Sequence, residues 1–232
     1  MRDMGGGVVR GLDDAQEDEG VPRWGMVSAV AAPVLLVAGL TAAGQLQPPQ
    51  FDALYNTVSA LAGQGANDGW VMTFTFVVVG ACDIVTAFAL HPAARPGRIL
   101  LAAAGFAGMM VAAFPERLGG SLIHACWASL GFGGLILWPA LAWHQVRPGR
   151  LVPWGLRPLP CLSASLILAA LTSWFAAEDA THAAQMGIAE RAAGITQTIW
   201  PLVVVVSCRL FYTGREPSGA GSSLIEPDLE GE

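Results

Sequence analysis

FPERLGGSLIH, residues 114–124, separates two long apolar runs and packs a proline, a Glu–Arg pair, two glycines and a histidine into a short stretch. The run before it, 98–114, carries no charge after Arg98, and the run after it, 121–143, carries none at all. A membrane-spanning helix needs about 20 mostly apolar residues. The stretch therefore reads as a turn between two such helices. The same criterion finds six spans along the chain, near 24–43, 70–90, 98–114, 121–143, 159–177 and 192–212. Composition agrees: 53% of residues are hydrophobic and 13% charged, where a soluble domain carries about 25% charged residues. The expected fold class is all-α, a polytopic bundle of six transmembrane helices in a cell membrane.

Arginine sets the direction. All 12 basic residues are arginine. Ten fall on one side, before the first span, in or at the edge of the second and fourth connections, or at and after the end of the last span; only Arg117, inside FPERLGGSLIH, and Arg191 fall on the other side. Positive charge favours cytoplasmic loops, so both termini are expected in the cytoplasm and 114–124 on the outer face. Most acids sit in two tails, 1–23 and 213–232, whose polar, Gly-rich composition predicts disorder around a 24–212 membrane domain. The acidic start lacks the basic, then apolar, pattern of a signal peptide. No basic patch suggests nucleic acid. Cys82, Cys126, Cys161 and Cys208 lie in apolar runs without C-x-x-C spacing and read as small hydrophobes.

The expected outer side collects the polar chemistry. The first connection contains Asp52, Tyr55 and apolar positions Phe51, Leu54, Val58 and Leu61 at helical spacing, which predicts a short amphipathic helix. The turn adds Glu116, Arg117 and His124. The start of the last span adds Glu190 and Arg191, with Gly194, Gln197 and Thr198 on the face of Glu190. Charges near the hydrocarbon boundary are costly unless satisfied, so the group reads either as helix-end caps and ion pairs or as a polar pocket. Glu116 and His124 are expected on its rim, with Arg191 reaching Glu116, Asp52 or Glu178. Asp83 stands apart: it lies 13 residues past Trp70, roughly 20 Å down the second span. It is expected too deep to join the outer cluster, and either pairs with an inner Ser or Thr or stays protonated.

No P-loop, H-E-x-x-H or G-x-S-x-G motif occurs, and no metal or cofactor is expected. Several short elements do recur in a known order. They are Ser59, Leu61 and Gly63 before the second span, Phe114-Pro115 closing the third, His124 opening the fourth, and Gly187, Glu190 and Arg191 opening the sixth with Trp200 below. Over 24–212 this resembles the bacterial membrane family called domain of unknown function 998. The family usually reads Ser-x-Leu-Gly, whereas Ala62 intervenes here, and its acid often lies two residues after Phe-Pro, whereas Glu116 follows directly. The resemblance implies the six-span fold and says little about activity.

Three functions fit these residues. An acid-initiated terpene cyclase would use Glu116, Glu190, Asp83 or His124 to protonate a lipophilic prenylated substrate. Arg191, Arg117, Asp52, Tyr55, Trp127, Trp200 and Phe74 would bind it, since aromatic faces stabilise a carbocation. A carrier or binding protein for a small lipid or solute would use the same acids and Arg191 to grip a polar group. An accessory membrane protein would need none of them. The expected partners are a lipophilic small molecule and membrane lipids.

Overall fold

The computed structural model describes residues 20–118, 120–144 and 151–213. Six helices cross the bundle: α1 (Arg23–Gln45), α2 (Trp70–Ala89), α3 (Arg95–Ala113), α4 (Leu122–Ala142), α5 (Pro158–Thr181) and α6 (Met186–Thr213). All six are long and apolar enough to span a bilayer, and no strand occurs among the described residues. The protein is an all-α, multi-pass membrane protein. This follows from the apolar solvent, where a helix satisfies its own backbone hydrogen bonds.

Each helix packs against the next, and α6 returns to α1, so the six close into a ring. Small residues make the contacts. Gly80 of α2 faces Gly105 of α3, Gly97 of α3 faces Ala142 of α4, and Gly25 of α1 faces Ala89 of α2. Between membrane helices the hydrophobic effect gives little, and close backbone approach supplies the packing energy instead.

An even number of spans brings both chain ends to one side. There Arg209 Nη1 donates to Val21 O at 2.9 Å. Arg98 ties α3 to the last turn of α2, through Nε to Ala87 O at 3.0 Å and Nη2 to Phe88 O at 3.1 Å. A core of Trp138, Leu90, Leu101, Leu156 and Val205 fills this termini end. The opposite, far end has its own core of Leu36, Leu61, Met72 and Val79. Most of both tails lies outside the described residues. Of the predicted N-terminal tail, Val21 is buried and Arg23 opens α1.

Three expectations change in detail. The short helix of the first connection is a single 3-10 turn, Ser59–Ala62, and 51–58 form turns instead of amphipathic helix. Local polar groups compete for the backbone there: Asp52 Oδ1 accepts from Leu54 N at 2.8 Å and Asn56 Oδ1 from Asp52 N at 2.9 Å. Helix α6 begins at Met186, not 192, so Glu190 and Arg191 lie inside its second turn. Of the cysteines, Cys161 and Cys208 are buried and Cys82 is half-buried, but Cys126 is exposed on α4.

Candidate functional site

Glu190 is the hub of the far end. It is 5% exposed, and both carboxylate oxygens are used. Oε2 accepts from Val58 N at 2.6 Å and Oε1 from Ser59 Oγ at 3.2 Å. One side chain on α6 thus holds the start of the 3-10 turn that follows α1. Its neighbour Arg191 donates Nη1 to Asn56 O and to Gly187 O, both at 2.8 Å. These carbonyls replace the expected partners Glu116, Asp52 and Glu178. Glu178 instead closes the α5–α6 turn, with Oε1 accepting from Trp174 Nε1 at 3.3 Å and Oε2 from Gln185 N at 3.0 Å.

Gly187 makes this contact possible. A Cβ there would strike Asn56 O and lie 2.7 Å from Ala53 O. With no side chain in the way, Ile188 N reaches Leu54 O at 3.1 Å. Gly187, Glu190 and Arg191 together form a latch from α6 onto residues 53–59.

Beneath the latch, within the ring, lies a partly open cavity of about 120 Å³. Five helices line it, and α5 contributes nothing. Its floor and walls are apolar and small: Val79, Gly80, Ala104, Gly105, Gly108, Val111 and Gly131, with Phe76 and Phe132 as the aromatic members. The polar members are Ser59, Glu190, Arg191, Gln197, Thr198 and Asp83.

Asp83 is the main departure from expectation. Its depth is as read, yet it lines the same cavity as Glu190. The cavity reaches both acids, and lining glycines leave room in it: a Cβ at Gly108 of α3 would meet nothing within 4 Å, and one at Gly194 of α6 only Leu36 Cδ2 at 4.0 Å. Asp83 is 4% exposed, and its Oδ1 is buried without a hydrogen-bond partner. The nearby hydroxyls are committed elsewhere: Ser28 Oγ donates to Cys82 O at 2.7 Å, and Thr86 Oγ1 donates to Ser28 Oγ at 3.0 Å. A buried carboxyl oxygen left unpaired is uncommon and calls for an explanation.

The other expected site residues scatter. Glu116 and His124 do not line the cavity. His124 is buried and its Nδ1 pairs with Phe114 O at 2.9 Å, which closes the α3–α4 turn. Glu116 O accepts from Gln64 N at 3.0 Å, while its Oε2 is buried without a partner. Arg117, Asp52, Tyr55 and Phe74 are exposed. Trp127 stacks edge-on against Phe106 at 6.0 Å. Trp200 faces a separate groove between α5 and α6 and meets Trp154 at 6.3 Å. Sequence reasoning missed Ser59 and the Val58 amide as partners of Glu190. No local pattern announces a pairing across more than 130 positions.

A model of the family described as "Protein of unknown function (DUF998)" matches residues 30–207. The chain belongs to the DUF998 family. The match runs from within α1 to within α6, so it takes in the ring, the cavity and the latch. No curated protein and no solved structure matches this DUF998 protein.

Proposed function

We propose that this DUF998 protein is a cell-membrane carrier or binding protein for a small lipophilic solute, which the ring cavity holds against Asp83. One observation carries the reading: a deeply buried carboxyl group with an unpartnered oxygen lines an apolar cavity inside the bilayer-spanning bundle. A group of this kind inside a membrane protein marks a ligand or proton path. At about 120 Å³ the cavity is somewhat smaller than the space of about 150 Å³ that accommodates benzene, but it is partly open, so it suits a compact solute of about that size that is not wholly enclosed.

Acid-initiated cyclisation of a prenylated substrate is the second reading. Asp83 among apolar walls with Phe76 and Phe132 favours it. In that case the cavity would take one prenyl end and Asp83 would deliver the proton. Trp127, Trp200 and Phe74 lie off the cavity and would not take part.

Two assays on the reconstituted protein separate these readings. Vesicles are tested for uptake of a panel of benzene-sized solutes, and membranes are incubated with prenylated and epoxidised-prenyl substrates. Saturable uptake that Asp83→Asn abolishes supports the carrier. An isomeric product of unchanged mass, lost in the same variant, supports the cyclase. Full function in Asp83→Asn, Glu190→Gln and Glu116→Gln would remove all three acids from the reading. Neither uptake nor product leaves an accessory role.

The arginine distribution supports cytoplasmic termini, with the latch facing outward. In a cysteine-free background, a cysteine at Leu118, which is 84% exposed, is expected to react with a membrane-impermeant maleimide in intact cells. A cysteine at Arg95 is expected to react only after permeabilisation. The reverse pattern would invert the topology.

A further inference from the structure

We infer that the solute carries a basic nitrogen, so that the ring cavity is a site for a small lipophilic ammonium ion whose charge meets Asp83. The inference rests on the reading of the cavity as a binding site and adds the chemical class of what it binds.

One cavity brings three charged side chains together. Its charged side chains are Asp83, Glu190 and Arg191. Glu190 has both oxygens engaged by Val58 N and Ser59 Oγ, and Arg191 gives its Nη1 to two carbonyls. Of these three, Asp83 alone has a carboxyl oxygen, Oδ1, with no hydrogen-bond partner. A carboxylate in an apolar interior is stabilised by an opposite charge with hydrogen-bond donors, and an ammonium supplies both.

The rest of the cavity selects among cations. Among the described residues no three His, Cys, Asp or Glu side chains come together as metal ligands. A hard cation wants six or more oxygens, and Asp83 shares its cavity lining with Val79, Gly80, Ala104 and Gly105. Such walls suit a hydrocarbon body. The aromatic wall members Phe76 and Phe132 bring to the lining the ring type that attracts organic cations. An anionic solute would find its one opposite charge in Arg191, whose Nη1 is already held by Asn56 O and Gly187 O, and would gain nothing from Asp83. The chemistry is therefore a primary or secondary amine on a body about the size of one aromatic ring.

Three probes of one shape test the claim: benzylammonium, benzyl alcohol and benzoate. Each is titrated calorimetrically into the full-length protein in detergent. Benzylammonium is expected to bind at least tenfold tighter than benzyl alcohol, with benzoate weakest. Asp83→Asn is expected to erase the difference between the first two, while Asp83→Glu retains it in part. A measurement on the unaltered protein guards against a variant that fails to fold. Dicyclohexylcarbodiimide, which adds to carboxyl groups in apolar surroundings, is expected to modify the Asp83 peptide, and benzylammonium but not benzyl alcohol should protect it. Equal affinity for amine and alcohol, or equal protection by both, overturns the amine and leaves the cavity a binding site for neutral solutes. No binding or protection by any probe overturns both readings.

Discussion

Replacing Gly105 by leucine is expected to lower the stability of the bundle by about 3 kcal/mol, the upper end of what overpacking costs. It should also disable the cavity. At Gly105 a Cβ would lie 2.9 Å from Asp83 Cβ and 3.2 Å from Ile84 Cγ1, and it would also press on the Gly80 carbonyl oxygen. That last obstacle is backbone and cannot swing aside. The clash is mutual, because a Cβ at Gly80 would strike Gly105 O and lie 2.8 Å from Met109 Cγ. Helices α2 and α3 must therefore separate, and Asp83 moves with α2. Thermal unfolding in detergent reads the stability loss. Gly108→Leu is the paired control. Gly108 lines the same cavity, but a Cβ there meets nothing within 4 Å. It is expected to keep the thermal midpoint near that of the wild type while its side chain fills the cavity and excludes benzylammonium. If Gly105→Leu and Gly108→Leu unfold alike, close α2–α3 contact is not what holds the ring together.

The six spans were legible because their signal is local and redundant. Each is a run of apolar residues that only a membrane would accept, and FPERLGGSLIH interrupts two of them with residues that favour a turn. Glu190, Arg191 and Gly187 were legible too, as a polar, small-residued face at the start of an apolar helix. What those residues touch was not. Arg191 has acidic residues within plausible reach, and the expected ion pairs follow from charge alone. The structure sends it to carbonyls because turns at 51–58 leave Asn56 O without a helical partner. Asp83 failed for a different reason. Helical rise gives depth along one helix, and depth alone separates it from Glu190. The residues that line the space they share come from five different helices, so no single helix reveals it. The tryptophans misled in the opposite sense. Their apolar positions fit a cavity lining, an interface and a core equally well, and Trp138 is a fully buried core residue of the termini end.

Glu190→Ala is expected to release the latch, and the amide of Val58 is the place to see it. Removing the carboxylate leaves a buried N–H without its 2.6 Å acceptor and strips Ser59 Oγ of its partner. An abandoned buried donor costs about 1–3 kcal/mol. Because each 1.4 kcal/mol is about tenfold in an equilibrium, hydrogen exchange at Val58 should speed by about fivefold to a hundredfold. Leu61 should follow, since it sits in the same 3-10 turn and packs into the far-end core. Amides of α3 and α4 should be unaffected, as neither helix bonds to the latch. Glu190→Gln separates the hydrogen bond from the charge. Its amide oxygen can still accept from Val58 N, so most of the protection should survive. If the alanine variant exchanges at the wild-type rate, Val58 N has another acceptor and Glu190 does not hold the connection. If glutamine behaves like alanine, the charge on Glu190 holds the connection in place, and the latch depends on an ionised carboxylate. That distinction matters for the solute. A latch that needs only an acceptor leaves Asp83 as the sole anion the cavity must offer, whereas a latch that needs charge places a second anion, Glu190, in the same lining.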